Sequence, residues 1–179
     1  MVLKVVNMKW KMIEREVMNP LGETSSDKMN LTPLPDDFEV VSLLDNTKPG
    51  SDVVLNTIQK SLGNRVFIKL KKPAGAPATF PQLKKAADSD ICILALGDCG
   101  SCTSWVILDA IRLEKMDVPT ISICSDQFIS FAREIAKSYG TEDLRIIKLE
   151  HPIAGIQKED VVEKTLKIVP ALQYLLQIP

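Results

Sequence analysis

Aromatic side chains are scarce, at 5 % of the 179 residues, and histidine occurs once. So few rings offer little surface on which nucleobases would stack. An excess of one charge is also missing: 22 Lys and Arg stand against 23 Asp and Glu, a formal net charge of -1. Without a basic stripe, nucleic acid is excluded as a partner class. No apolar run approaches the roughly 20 residues that span a bilayer, so no membrane contact is expected. Met1 to Lys11 carry only a short apolar patch, cut by Lys9 and Lys11, where a signal peptide needs a longer one. A cytoplasmic location is expected. There the 4 cysteines read as reduced thiols and not as a stapling framework. No Gly-x-Gly-x-x-Gly and no P-loop is present, which disfavours nucleotide cofactors; none is predicted.

What is present is an ordinary globular composition, 45 % apolar and 25 % charged, in a length suited to one domain. Met1 to Val6 and Met8 to Val17 are compatible with a short strand and a short helix. The polar, turn-rich stretch from Asn19 to Asp37 reads as an extended arm. Residues 1–37 are therefore set apart as an N-terminal arm from a single α/β domain at 38–179. Within that domain, apolar runs at Val40–Leu44, Val66–Leu70, Ile91–Leu96, Pro119–Cys124 and Arg145–Leu149 read as strands. Helical spacing follows each of them. Val53 to Leu62 is the first such segment, with Ser51 or Asp52 as its expected N-cap. The others are Gln82 to Ala87, Cys99 onward, Gln127 to Ser138 and Glu159 to Leu175, the last with Pro170 as an expected kink. Regular alternation predicts a doubly wound, mostly parallel five-stranded sheet with helices on both faces, in the flavodoxin-like order 2-1-3-4-5.

Ligands of open parallel sheets bind outside the carboxyl ends of the strands. Those ends carry Asp45, Asn46, Thr47 and Lys48; Lys71 and Lys72; Asp98, Cys99, Cys102, Thr103 and Ser104; Cys124, Ser125 and Asp126; and Glu150 with His151. The centre is Asp90 to Trp105, where a buried strand becomes a helix across Cys99-Gly100-Ser101-Cys102. Unpaired peptide N–H groups and the helix dipole favour an anion at such a start, and so favour a thiolate. Cys99 is the expected nucleophile, Cys102 the resolving thiol and His151 an acid–base partner. Asp45, Asn46, Lys48, Asp98, Thr103, Ser104 and Cys124 are candidate substrate contacts. Lys48 suits a carboxylate or phosphate, and Asp45 either pairs with Lys48 or accepts loop amides. Cys92, inside the strand, reads as core. A zinc site from Cys99, Cys102, Cys124 and His151 would lack the second paired knuckle of structural sites, so no metal is predicted.

The stretch Gly97-Asp98-Cys99-Gly100-Ser101-Cys102-Thr103-Ser104-Trp105 resembles the signature of a selenoprotein and cysteine-homologue family named for its U-G-S-C motif. There the first position is selenocysteine or cysteine. Leu44-Asp45-Asn46-Thr47-Lys48-Pro49 and His151-Pro152-Ile153-Ala154-Gly155 resemble that family's other signature stretches. The likeness runs from about Asn19 to the C-terminus. The chain is more distantly similar to the selenoprotein B subunit of glycine, betaine and proline reductases, where Cys99, Cys102, Cys124, His151 and Pro152 match in order and Trp105 replaces a third cysteine. The resemblance implies a nucleophilic or redox-active position at Cys99.

The expected activity is thus reductive or nucleophilic chemistry on a small substrate, with an external thiol or protein reductant resetting the cysteines. Two rivals remain: cofactor-independent acid–base chemistry of the racemase, decarboxylase or lyase type, and a non-catalytic subunit of a larger complex. A homo-oligomer or partner subunit contacted through the arm is a further expectation.

Overall fold

A computed structural model of the chain describes residues 28–178. The segments Met1–Val6 and Met8–Val17, expected as strand and helix, lie outside the described residues. The strands are β1 (Val40–Asp45), β2 (Val66–Lys71), β3 (Ile91–Gly97), β4 (Thr120–Ser125) and β5 (Ile146–Leu149). All pairings are parallel, in the order β2-β1-β3-β4-β5. The α/β class and the strand order are therefore as the alternation predicts.

The helices are α1 (Ser51–Ser61), α2 (Phe80–Ala86), α3 (Gly100–Glu114), α4 (Ile129–Ser138) and α5 (Lys158–Leu175), with a 3-10 turn at Asp126–Phe128 before α4. Pleating sends alternate β3 residues to opposite faces. Ile91, Ile93 and Ala95 join a core with Val54 and Ile58 of α1 and Ile168 and Leu172 of α5. Cys92 and Leu94 join a second core with Leu83 of α2, Val106 and Ile107 of α3, and Ala132 and Ala136 of α4. Every residue of β3 is buried, which is why it reads as an unbroken apolar run. At its end the ladder slips: Ala95 pairs with Ile123 but Gly97 with Cys124. This irregularity lets Leu96 fall on the same side as Ala95 and re-aims the strand end just before Asp98.

Several boundaries differ from expectation. Neither Ser51 nor Asp52 caps α1. The N-cap is Gly50, at φ 89 with no side-chain cap bond, and a Cβ there would lie 2.8 Å from Cγ2 of Ile153. Close approach of the β5–α5 loop and a left-handed backbone together require glycine. Helix α2 starts at Phe80, two residues before the expected Gln82. Thr79 and Gln82 form a reciprocal capping box, and Pro81 fits the first turn because its missing N–H has no partner to lose. Helix α5 runs through Pro170 as one element.

Residues 28–37 have no regular structure but lie against the domain. The Thr32 amide donates to Oε2 of the buried Glu114 at 2.8 Å, and Arg145 reaches Oε1 of the same carboxylate at 2.9 Å. Leu31 and Leu34 pack onto the two cores.

Candidate active site at the carboxyl edge of the sheet

The turn from β3 to α3 carries the Cys99-Gly100-Ser101-Cys102 motif. Gly97 is required by crowding: a Cβ would sit 2.5 Å from the Cys124 sulfur and 3.0 Å from the Thr103 hydroxyl. Cys99 follows as the N-cap of α3 in extended backbone, φ -164. A serine or aspartate at such a position normally turns its oxygen back onto the helix amides. Cys99 makes no side-chain cap bond. Its carbonyl instead accepts from the Thr103 amide at 2.9 Å and the Thr103 hydroxyl at 2.7 Å. Its half-buried sulfur has the Ser101 hydroxyl at 3.9 Å.

The two motif thiols are driven apart. Burial pushes the Cys99 thiol up, but hydrogen bonds from the Cys102 side chain and amide, the Ser101 hydroxyl and the nearby Lys48 charge outweigh it, so it lies below the ordinary 9.0. Cys102 is buried, and burial together with the adjacent Cys99 pushes it up to about 11. The Gly75 amide, on the loop between β2 and α2, bonds the Cys102 sulfur and partly offsets this. Of the two, Cys99 is therefore the thiol that ionises more readily, with the Cys102 thiol as its hydrogen-bond donor. Cys124 is fully buried and pushed up to about 12 by burial. Its sulfur packs at Gly97. Cys92 is buried in β3 and its thiol is raised by burial and by the Asp109 charge.

Asp98 and His151 meet across the same edge. Oδ1 of Asp98 lies 2.8 Å from Nδ1 of His151, although the residues are 53 apart in sequence. Oδ2 of Asp98 accepts from the amides of Ile153 at 3.2 Å and Ala154 at 2.9 Å. The Ser125 hydroxyl lies 3.3 Å from both Nδ1 of His151 and the Gly97 carbonyl. Burial raises the Asp98 carboxyl, but the Ala154 amide, the Ser125 hydroxyl, the Ile153 amide and His151 together hold it below its ordinary 3.8.

Other candidates from the sequence are used within the fold. Asn46 is fully buried: its Nδ2 donates to the Leu96 carbonyl at 2.8 Å and its Oδ1 accepts the Leu96 amide at 2.9 Å, tying the ends of β1 and β3. Asp45 accepts the Thr47 amide at 2.7 Å and makes no ion pair with Lys48 among the described residues. The Ser104 hydroxyl bonds the Gly100 carbonyl at 3.0 Å. A cavity of about 200 Å³ lies on the far side of β1, bordered by Asp45, Asp52, Lys69 and Lys71 but not by Cys99, Cys102 or His151. Of the two motif thiols outside that cavity, Cys99 is partly exposed and Cys102 is buried.

The sequence model of the UGSC family matches residues 16–178. The chain belongs to the UGSC family. In this UGSC protein the motif residues are Cys99, Gly100, Ser101 and Cys102, at the N-terminus of α3. The solved Streptococcus pneumonia TIGR4 flavodoxin is 12 % identical, with a TM-score of 0.45 over 77 % of this chain and 99 % of that one. A short-chain flavodoxin associated with a PDU bacterial microcompartment is 12 % identical, with a TM-score of 0.42 over 77 % and 97 %. No curated protein matches the sequence. Among the described residues, no His, Cys, Asp and Glu side chains group as metal ligands would. No described helix is long and apolar enough to cross a membrane.

Sequence reasoning missed the roles of Ser125 and Gly75 as hydrogen-bond partners at this edge, and the pairing of Asp98 with His151. Periodicity carries no signal for contacts between loops so far apart in the chain.

Proposed function

We propose that this UGSC protein is a cytoplasmic thiol enzyme acting on a small substrate with an electrophilic sulfur or carbon. The observation that carries the reading is the placement of Cys99 at the N-terminus of α3 with Cys102 one turn on, where their surroundings shift the two thiols in opposite directions, Cys99 down and Cys102 up to about 11. The Cys99 thiolate attacks the electrophilic sulfur or carbon; its bond to a leaving group breaks as the bond to Cys99 forms, the leaving group departs with that electron pair, and a covalent adduct remains on Cys99. Cys102, deprotonated as it reacts, then attacks the Cys99 sulfur. A Cys99–Cys102 disulfide forms, and the substrate leaves with two electrons and a proton. An external dithiol or protein thiol reduces the disulfide and becomes oxidised in turn. Lys48, whose charge reaches both sulfurs, suits a substrate carboxylate.

The test is intact-protein mass spectrometry, on the whole chain, after one equivalent of a mild oxidant and after brief alkylation at neutral pH. The expected products are a Cys99–Cys102 disulfide and a single adduct at Cys99. Slow, even labelling of all the cysteines overturns the reading. A second reading draws on the carboxylate-held imidazole of His151: Cys99 and His151 serve as acid and base on a substrate carbon without redox change. Turnover without a reductant, retained in Cys102→Ala, selects it.

A further inference from the structure

We infer that Asp98 is the positioning residue of an acid–base group: it fixes His151 with a proton on Nδ1, so that Nε2 carries protons for the group displaced by Cys99. The inference rests on the thiol chemistry proposed above and adds the proton donor that chemistry needs.

The geometry leaves little freedom. Only 2 % of the Asp98 side chain is exposed, against 24 % of His151. A buried carboxylate held ionised is acceptor-only. The nitrogen 2.8 Å from its Oδ1 therefore carries a hydrogen; two bare acceptors at that distance would repel. The other carboxylate oxygen is occupied by the amides of Ile153 and Ala154, so Asp98 cannot turn away without orphaning two donors. The Ser125 hydroxyl lies beside Nδ1 and the Gly97 carbonyl and also bonds the Asp98 carboxylate; with its one hydrogen on either of those oxygens, the Nδ1–H is left to Asp98. The backbone is fastened as well. The His151 amide donates to Asp126 at 3.2 Å, its carbonyl accepts from Lys164 at 3.1 Å, and Phe128 lies against the ring with centroids 5.9 Å apart. Nε2 has no hydrogen-bond partner among the described residues, and the side chain as a whole is 24 % exposed.

The proton balance is direct. Cys99 thiolate attacks a disulfide; one sulfur–sulfur bond forms as another breaks, and an alkyl thiolate leaves. The imidazolium gives its Nε2 proton to that thiolate and returns to the neutral Nδ1–H form. Water on the open edge reprotonates it. Asp98 never takes the proton; it accepts the Nδ1–H and sets the orientation of the ring.

Because His151 is the sole histidine, its ring nitrogens are read without assignment in a two-bond proton–nitrogen spectrum of histidine-labelled protein, above the imidazole titration range. The expected pattern is the Nδ1–H tautomer, opposite to the Nε2–H form that free histidine prefers. The kinetic arm uses two probes: an aromatic disulfide, whose thiolate leaves without a proton, and an alkyl disulfide, whose thiolate needs one. In both Asp98→Asn and His151→Gln the alkyl-to-aromatic rate ratio is expected to fall about 100-fold, the low end of what general acid–base catalysis supplies. An Nε2–H tautomer in the native protein, or an unchanged ratio with the adduct on Cys99, overturns the inference. Should Asp98→Asn fail to fold, the native spectrum and His151→Gln still decide. If neither disulfide forms an adduct on Cys99, the thiol reading itself fails, which is a different result.

Discussion

Nζ of Lys72 lies 3.0 Å from Oδ2 of Asp109, and neither side chain is more than 1 % exposed. The pair is a clasp more than a stabiliser. Lys72 also donates to the Ala76 carbonyl at 2.6 Å, and both Asp109 oxygens accept the Ala78 amide. The loop between β2 and α2 is thereby fixed to α3, with Gly75 at Cys102. Taking two charges out of water costs nearly what their attraction returns, but removing one partner leaves the other buried alone. Asp109→Ala is expected to destabilise the fold by about 3–5 kcal/mol in urea titration. It should also speed alkylation of Cys102 as the loop loosens. A loss below about 1 kcal/mol, the range of exposed pairs, would mean water reaches Lys72.

Gly97 is predicted to resist enlargement. A Cβ there meets the Cys124 sulfur, which is itself fully buried and has nowhere to move. Gly97→Ala should cost about 1–3 kcal/mol, as overpacked cores do. Adding Cys124→Ala should recover part of that loss, because the two changes share one volume. Strictly additive penalties in the double variant would show that the clash is relieved elsewhere.

The architecture was legible because strand and helix periods are local. Ile91–Leu96 announces a doubly buried strand, and Cys99-Gly100-Ser101-Cys102 announces the turn behind it. Parallel-sheet rules then place the remaining strand ends on one edge, which brought His151 and Asp98 into one list. The rules gave no hint that these two touch. Capping was read less well at α1, where Gly50 answers to Ile153, far along the chain. Asn46 looks like a loop ligand in sequence, yet it acts as a peptide surrogate for Leu96. Lys72, grouped in sequence with the strand ends that face a ligand, is buried, as is Glu114. In each case a distant partner decided, and composition does not name partners.

Acid should weaken the Asp98 junction. Its folded carboxyl lies below the ordinary 3.8, so ionised Asp98 stabilises the fold fully above that value. The contribution disappears as pH falls through the depressed folded value. The stability difference between the native protein and Asp98→Asn is therefore expected to be largest above about pH 4, near the ordinary carboxyl range, and to shrink below it. Chemical denaturation across that range measures it. A difference that grows with acid would mean that Asp98 is protonated in the folded state.

The reactivity of Cys99 should depend on Lys48 although the two make no hydrogen bond among the described residues. The Lys48 charge lowers Cys99 and also tempers the rise of Cys102. Removing it with Lys48→Gln takes away a favourable interaction with each thiolate, so both thiols move up. For Cys99 the pH midpoint of alkylation starts below 9.0 and is expected to shift toward it. Cys102→Ala should do the same by deleting the thiol that donates to Cys99, while sparing the amide bond at that position. High salt should mimic Lys48→Gln in part, because a half-exposed charge is screened within about 10 Å at 0.1 M, but should not mimic Cys102→Ala, whose effect is a direct hydrogen bond. If Lys48→Gln and the native protein share one pH profile, Lys48 has no hold on the sulfur, and its proposed grip on a substrate carboxylate beside Cys99 loses its support.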